Sequence, residues 1–219
     1  MTTERREEAL SGGAIVRFGV PAGAAEERVE ALPRIEVSSL RGARVGLRRG
    51  FVDEAGVRLR VACVEAPSDR FAPGVEEIVL GMATSIARGA ASDGITLERW
   101  DAEGITRHEG RFEQVLTGQG ARGDRPVVLR GRHVLGFEGA ASEAVLCTFV
   151  CEEPRTNERC GALVDSAELV SLVPPPPPSL FVRTILMAAE RPRDAALLGM
   201  GIGLVCVVVL LARRPRPLP

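Results

Sequence analysis

The chain has 219 residues, 28 basic and 29 acidic, and a net charge of −1 at pH 7. Every basic residue is arginine, which excludes phosphate loops and Schiff bases that need a lysine. Residues 1–179 carry a net −5 and residues 180–219 a net +4, and an acidic body lacks the basic footprint of general nucleic-acid binding. We therefore predict no nucleic-acid partner.

The first part of the chain indicates a short tail followed by a strand-rich domain. Residues 1–12 carry charges but no apolar run, which predicts a flexible N-terminus without a secretory signal. The globular domain is predicted over residues 13–172, with Ala14–Phe18 as its first strand. Apolar residues alternate with polar ones on both sides of Asp53–Gly56, which predicts a β-hairpin. Apolar residues at helical spacing then predict a mid-chain helix over Gly74–Ala90.

The second part of the domain reads as a run of strands closed by a helix. Five strand-like segments are separated by glycines: Ile95–Asp101, Gly104–Glu109, Arg111–Thr117, Pro126–Phe137 and Ala144–Cys151. A closing amphipathic helix is predicted over Asn157–Val170. This order predicts an α+β fold, in which a mid-chain and a C-terminal amphipathic helix pack on an antiparallel sheet.

Several of these segments together resemble the PsbP/DcrB-like α/β/α sandwich superfamily. The pieces that carry the resemblance, besides the mid-chain helix, are Val20–Gly23, Arg130–Leu135, Val145–Val150 and Leu163–Ser166. The resemblance implies a non-enzymatic accessory, lipoprotein or chaperone-like module.

The C-terminal region contains the segments that predict a membrane anchor. Residues 173–194 form a proline-rich spacer and a juxtamembrane helix; the run Pro174–Pro178 favours a stiff extended rod, or else a docking peptide. Residues 195–212 lack charge and as a helix span about 27 Å, which predicts a transmembrane helix. Residues 213–219 form a basic tail. We thus expect a tail-anchored, single-pass protein whose partner is the lipid bilayer, with a cytoplasmic body or, alternatively, a periplasmic one.

Small residues spaced by four positions occur within the predicted membrane helix. Ala195, Gly199 and Gly203 would lie on one helix face, where small side chains let two helices approach closely. The pattern predicts a homo-oligomer formed through this helix, although it is also frequent by chance.

The cysteines predict one disulfide and no metal centre. Cys151 and Cys160 flank a short loop, so we expect a disulfide in an oxidising compartment and free thiols in the cytoplasm. Cys147 and Cys151 lie roughly 13 Å apart along one strand, too far for a disulfide. A zinc site of Cys151, Cys160 and His133 lacks a clear fourth ligand, so no metal and no cofactor are predicted.

Four arginines on the predicted hairpin form a candidate partner surface. Arg44, Arg48, Arg58 and Arg60 are expected on its polar face, where like charges opposite one another cost stability. Carboxylates of the body, or else an acidic protein or lipid headgroups, must offset these charges.

The motifs of common enzymes are missing from the sequence, and His133 is expected in the core. No catalytic residue is therefore predicted. The leading hypothesis is a non-enzymatic, tail-anchored membrane protein that presents a protein-binding or chaperone-like accessory domain. One alternative is an envelope-facing, ligand-binding accessory domain stabilised by a Cys151–Cys160 disulfide. A second alternative is a hydrolase or metal-dependent enzyme.

Overall fold

The computed structural model describes residues 3–29, 32, 42–68, 89–91, 93–108, 111–139, 143–170 and 172–174. All of them belong to one unit of the chain, Met1–Pro176. Within this part the strands are β1 Thr3–Ala9, β2 Ile15–Pro21, β3 Ala25–Glu26, β4 Arg44–Val52, β5 Arg58–Pro67, β6 Ile95–Ala102, β7 Thr106–His108, β8 Arg111–Arg122, β9 Arg125–Glu138, β10 Glu143–Pro154 and β11 Glu168–Val170. Helix α1 is Cys160–Asp165, and residues 89–91 are also helical.

The strands form two antiparallel sheets. The smaller has the order β1-β2-β11, and the larger has the order β3-β4-β5-β10-β9-β8-β6, with β7 pairing to β8 beside β6. The main core fills the space between the small sheet with α1 and one face of the large sheet. Phe18 of β2 and Phe51 of β4 meet there with ring centroids 5.9 Å apart. Each fully buried side chain of this size stabilises the fold by roughly 1.5–3 kcal/mol.

The other face of the large sheet carries two smaller apolar clusters. One includes Leu135, Phe137 and Leu146, and the other includes Ile95 and Leu129. Strand β10 and the second half of β9 are therefore buried on both faces, and β10 is correspondingly rich in apolar residues between positions 144 and 151.

The prediction of an α+β fold is wrong, because the molecule is mostly antiparallel β-sheet. Of the described residues, 66% are in strands and 8% are helical. The predicted closing helix is only partly helical, because helix α1 is six residues long. Glu168–Val170 instead forms strand β11 and pairs with β2. Leu169 is buried between two more exposed neighbours, the alternation of a strand rather than a helix. Of the predicted helix 74–90, only residues 89 and 90 are described, and they are helical.

The prediction of a single-pass, tail-anchored membrane protein also needs correction. In the described part of the chain, no helix is long and apolar enough to cross a membrane. Helix α1 would span only about 9 Å of the roughly 30 Å that a bilayer core requires. The predicted span 195–212, the tail 213–219 and the residues Ala195, Gly199 and Gly203 lie outside the described residues. The structure thus does not support the predicted membrane localisation.

Two local features show where sequence patterning succeeded and where it did not. The hairpin around Asp53–Gly56 is confirmed, with β4 antiparallel to β5 and Gly56 N donating to the Asp53 carbonyl oxygen at 3.0 Å.

Residues 3–9, expected to be flexible, instead form β1. Its charges find partners in the fold, since Glu7 pairs with Arg17 at 2.7 Å and Arg5 with Glu168 at 3.3 Å.

Candidate binding surface

One face of the large sheet is covered at one end and exposed at the other. Strands β4, β5 and β10 pack on the small sheet and α1, whereas β9, β8 and β6 extend beyond that cover. The strand register places six side chains on this uncovered part in two rows across three strands. We call this set the open face: Asp101, Thr117 and Arg130 in the first row, and Arg99, Gln119 and Val128 in the second. They line a shallow groove of about 210 Å³.

A β-bulge in β6 is what turns two charged residues toward the open face. Leu97 lies opposite Gly120, but the register shifts so that Arg99, not the residue before it, lies opposite Gln119. Arg99 and Asp101 then share the open side, while Trp100 turns to the buried side. Re-aiming of side chains is a usual role of such bulges.

Two glycines of β8 make room for this arrangement on the buried side. A Cβ at Gly118 would lie 2.7 Å from the ring of Trp100, and one at Gly120 would lie 2.3 Å from the carbonyl oxygen of Thr96. Gly118, Gly120 and Gly123 look like a nucleotide-binding motif by spacing. In the structure two of them lie within β8 and Gly123 lies in the β8–β9 turn, so no helix follows them to hold a phosphate.

Arg130 is the arginine of the open face whose charge no described residue offsets. Its side chain is exposed and makes no hydrogen bond or ion pair with any residue that the structure describes. Its neighbour Arg132, by contrast, pairs with Glu113 at 2.5 Å and donates to the Ala167 carbonyl oxygen at 3.1 Å. Arg130 is therefore available to a binding partner.

The second arginine of the open face is paired, but only at the surface. Arg99 Nε lies 2.6 Å from Asp101 Oδ2, and the two side chains are 71% and 53% exposed. Such an exposed pair is worth roughly 0–1 kcal/mol. A partner carboxylate can therefore replace Asp101 as the partner of Arg99 at little cost.

Helix α1 forms a wall beside Arg130, and two contacts hold it there. Cys151, directly opposite Arg130 in the register, is joined to Cys160 at the start of α1 with an S–S distance of 1.98 Å. The buried Glu153 carboxylate accepts hydrogen bonds from the backbone N–H of Arg159 (2.6 Å) and Cys160 (3.1 Å). Arg159 is the N-cap residue and Cys160 is the first residue of α1, and backbone N–H groups at this end of a helix have no intrahelical acceptor. The disulfide thus fixes the edge of the open face.

A second disulfide, Cys63–Cys147, lies in the main core and was missed by the sequence analysis. The two residues are directly opposite each other on β5 and β10, with Cα atoms 4.1 Å apart. Both are fully buried. They are 84 residues apart in the chain, so only the pairing of β5 with β10 could have indicated this bond.

The four hairpin arginines do not form one face. A bulge between Val45 and Leu47 places Arg44 on one side of the sheet and Arg48, Arg58 and Arg60 on the other. Arg44 pairs with Glu65 (2.6 Å) and Glu143 (2.9 Å). Arg58 and Arg60 approach Glu27 at 3.6 and 3.5 Å, and Arg48 donates to the Leu32 carbonyl oxygen. Carboxylates of the body therefore offset three of these charges.

An ion-pair network ties β5, β8 and β10 together on the side opposite to the open face. Arg122 binds both carboxylate oxygens of Glu152 at 2.7 Å and also Asp93 at 2.9 Å, and Asp93 meets Arg60 at 2.5 Å. Hydrogen bonding to Glu152 raises the pKa of Arg122. Burial acts to raise the pKa of Asp93, but hydrogen bonds from Arg60 and Arg122 outweigh it, so this pKa is lowered. The network is fully engaged inside the domain.

His133 lies in the interior, within a row of polar side chains. It is fully buried, its Nδ1 is 2.9 Å from Thr148 Oγ1, and Gln114 lies opposite it on β8. Burial lowers the pKa of His133 to about 4. The register puts His133 on the opposite face from Cys151, and Cys151 and Cys160 are bonded to each other. The structure therefore does not bring together the three zinc ligands considered from the sequence.

Comparison with known proteins gives only distant structural similarity. No protein-family model and no curated protein matches the chain. Its structure is similar to that of LpqN, involved in cell envelope biogenesis of Mycobacterium tuberculosis, with a TM-score of 0.40, 11% identity, and coverage of 78% of this chain and 92% of LpqN. It is also similar to the Saccharomyces cerevisiae Ran-binding protein Mog1p, with a TM-score of 0.37, 15% identity, and coverage of 76% and 96%. At these TM-scores neither likeness transfers a function, and the PsbP/DcrB resemblance stays a prediction.

Proposed function

We propose that this chain is a non-enzymatic accessory domain that binds a partner protein through its open face and works in an oxidising compartment. The observation that carries the proposal is the open face itself. Its exposed polar side chains include Arg130, which pairs with none of the described residues, and its edge is fixed by a buried disulfide. A preorganised surface of this kind binds without first ordering its own residues.

The two disulfides favour the oxidising compartment. Disulfides persist outside the reducing cytosol and are rare within it. Cys63, Cys147, Cys151 and Cys160 are all fully buried among apolar side chains, where a switching or catalytic thiol would be out of reach. These bonds thus serve as permanent cross-links of a secreted or envelope-exposed type of domain.

The environment of His133 favours binding over catalysis. A general base must reach substrate and titrate near the working pH, but this imidazole is fully buried and its pKa is lowered to about 4. The shallow groove of about 210 Å³ is also smaller than the roughly 300–1,000 Å³ of most small-molecule sites. A surface contact with another protein fits this shape better than an enclosed substrate.

The compartment is tested by mapping the disulfides of the full chain isolated from its own cells. Thiols are blocked with an alkylating reagent at lysis, and the unreduced protein is digested with trypsin and chymotrypsin. Cleavage after Phe149 separates Cys147 from Cys151, so the two bonds give distinct linked peptides. We expect Cys63–Cys147 and Cys151–Cys160, whereas alkylated thiols at these four positions would overturn the oxidising assignment.

Binding through the open face is tested by site-specific photo-crosslinking in the same cells. A photoreactive residue replaces Gln119 on the open face, and a matched control replaces the exposed Glu4 on β1. We expect a discrete cross-linked species from position 119 and none of that mass from position 4. Equal cross-linking from both positions, or none from position 119, would refute the proposed surface.

A further inference from the structure

We infer that the partner presents a carboxylate-bearing, extended segment to the open face, and that Arg130 anchors it. This inference rests on the proposed function and adds the chemistry of the partner.

The donors of the open face match a carboxylate. Arg130 offers a guanidinium that pairs with no residue in the described part of the chain, and its planar fork can bind both oxygens of a carboxylate. Thr117 lies directly opposite Arg130 on the neighbouring strand. Their Cβ atoms are thus about 5 Å apart, so the hydroxyl can donate to the same group. Gln119, one row further along β8, adds an amide donor.

The charge of the open face runs against the charge of the body. Residues 1–179 carry a net −5, which repels acidic partners in general. The open face instead holds Arg99, Arg130 and a single carboxylate, Asp101. An acidic segment is therefore attracted at this surface and disfavoured over the rest of the domain, which fixes where it docks.

The layout of the two arginines predicts a spacing between carboxylates in the bound segment. Arg130 and Arg99 are two strands and one row apart, a separation of roughly 12 Å at the usual strand and residue spacings. In an extended peptide, residues i and i+4 are about 13 Å apart and point to the same side. We thus expect two acidic residues separated by three others.

The test uses a labelled Glu-Thr-Thr-Thr-Glu peptide, whose β-branched residues favour an extended chain. Its binding to the full chain is followed by fluorescence anisotropy at low and physiological salt. We expect binding that Arg130→Gln weakens about tenfold, as fits the loss of a hydrogen-bonded charge. The matched control is Arg125→Gln, an exposed arginine at the β8–β9 turn on the opposite side of the sheet, which should change affinity less than twofold.

Three results would overturn the inference. The first is that the acidic peptide does not bind detectably, and the second is that Arg130→Gln and Arg125→Gln weaken its binding equally. The third is that a Lys-Thr-Thr-Thr-Lys peptide binds as tightly as the acidic one. Retained thermal stability of Arg130→Gln shows that its loss of binding is not unfolding. If the peptide fails while position 119 still cross-links, the acidic partner is refuted and the proposed function stands. If position 119 also fails to cross-link, both are refuted.

Discussion

The covered and open halves of the large sheet have the same antiparallel backbone, but the side chains on their shared face are apolar in the covered half and mostly polar in the open half. In the covered half, the face toward the small sheet presents Val61, Cys63, Val145, Cys147 and Phe149, all in the main core. In the open half, the same face presents arginine, aspartate, threonine and glutamine at exposed or half-buried positions. If the open half were an apolar surface that had lost its cover, its side chains would be apolar like those of the covered half. Its polar side chains instead suit contact with water or with a polar partner.

The boundary between the halves lies at Cys151. On one side of it the strands are packed, and on the other side Arg130 has no ion pair with any residue of the described ranges. The disulfide to Cys160 places α1 on this line. Both disulfides thus lie in the main core, but only Cys151–Cys160 borders the open face.

The largest effect is expected from the Cys63–Cys147 disulfide. Replacing Cys63 and Cys147 together by alanine opens a link between residues 84 apart and should lower the free energy of unfolding by about 4–5 kcal/mol. Replacing Cys151 and Cys160 opens a link of only 9 residues and should cost about 2–3 kcal/mol. Chemical denaturation of both double variants measures the difference, and a reversed order would contradict it.

Truncation of an apolar side chain should lower the unfolding free energy more in the covered half than in the open half. Phe149→Ala leaves a cavity in the main core, so we expect a loss of about 3–5 kcal/mol in unfolding free energy. Val128→Ala removes a half-buried side chain of the open face and should cost less than about 1 kcal/mol. Similar losses at both positions would mean that the open half is packed as tightly as the covered half.

The buried His133 should make the stability of the fold depend on pH. Because its pKa is lowered from 6.5 to about 4, the unfolded chain binds a proton more readily than the folded one between these values. Stability is therefore complete above pH 6.5 and is lost as pH falls toward 4, by about 3 kcal/mol. Denaturation curves across this range measure the slope, and His133→Asn should flatten it.

Glu138 should act in the opposite direction. Burial raises the pKa of this carboxyl above 4.5, so the folded state holds its proton longer than the unfolded chain does, and stability falls as pH rises past 4.5. Replacing Glu138 by glutamine should remove this slope, which denaturation curves above pH 4.5 measure. A pH profile unchanged by His133→Asn would rule out the histidine as the source of the acid sensitivity.

The smallest effect is expected at Arg130. Arg130→Gln breaks no hydrogen bond or ion pair with the described part of the fold and should change the unfolding free energy by less than about 0.5 kcal/mol. Arg122→Gln, in contrast, leaves Glu152 and Asp93 without a shared partner and should cost about 2 kcal/mol. Thermal denaturation of the two variants tests whether Arg130 is free for binding while Arg122 is used by the fold.

The candidate site was only partly accessible to sequence reasoning. The sequence predicts strands over Arg111–Thr117 and Pro126–Phe137, which are parts of β8 and β9, and a Cys151–Cys160 disulfide in an oxidising compartment. Neither pattern indicates which face is left uncovered. The bulge in β6 reverses the sides of Arg99 and Asp101, and a period-two pattern read through that point assigns both residues to the wrong face.

What the sequence determined by itself is local: most strand segments, the β4–β5 hairpin, and the acidic body, because these follow from the period and charge of neighbouring residues. The prediction of the closing helix was wrong at its C-terminal end. Glu168–Val170 forms a strand there because it pairs with β2, which the local pattern does not indicate. Tertiary structure alone decided the Cys63–Cys147 bond, the separation of Arg44 from the other hairpin arginines and the exposure of Arg130. Each depends on pairing between residues far apart in the chain, and on which parts of the sheet other elements cover.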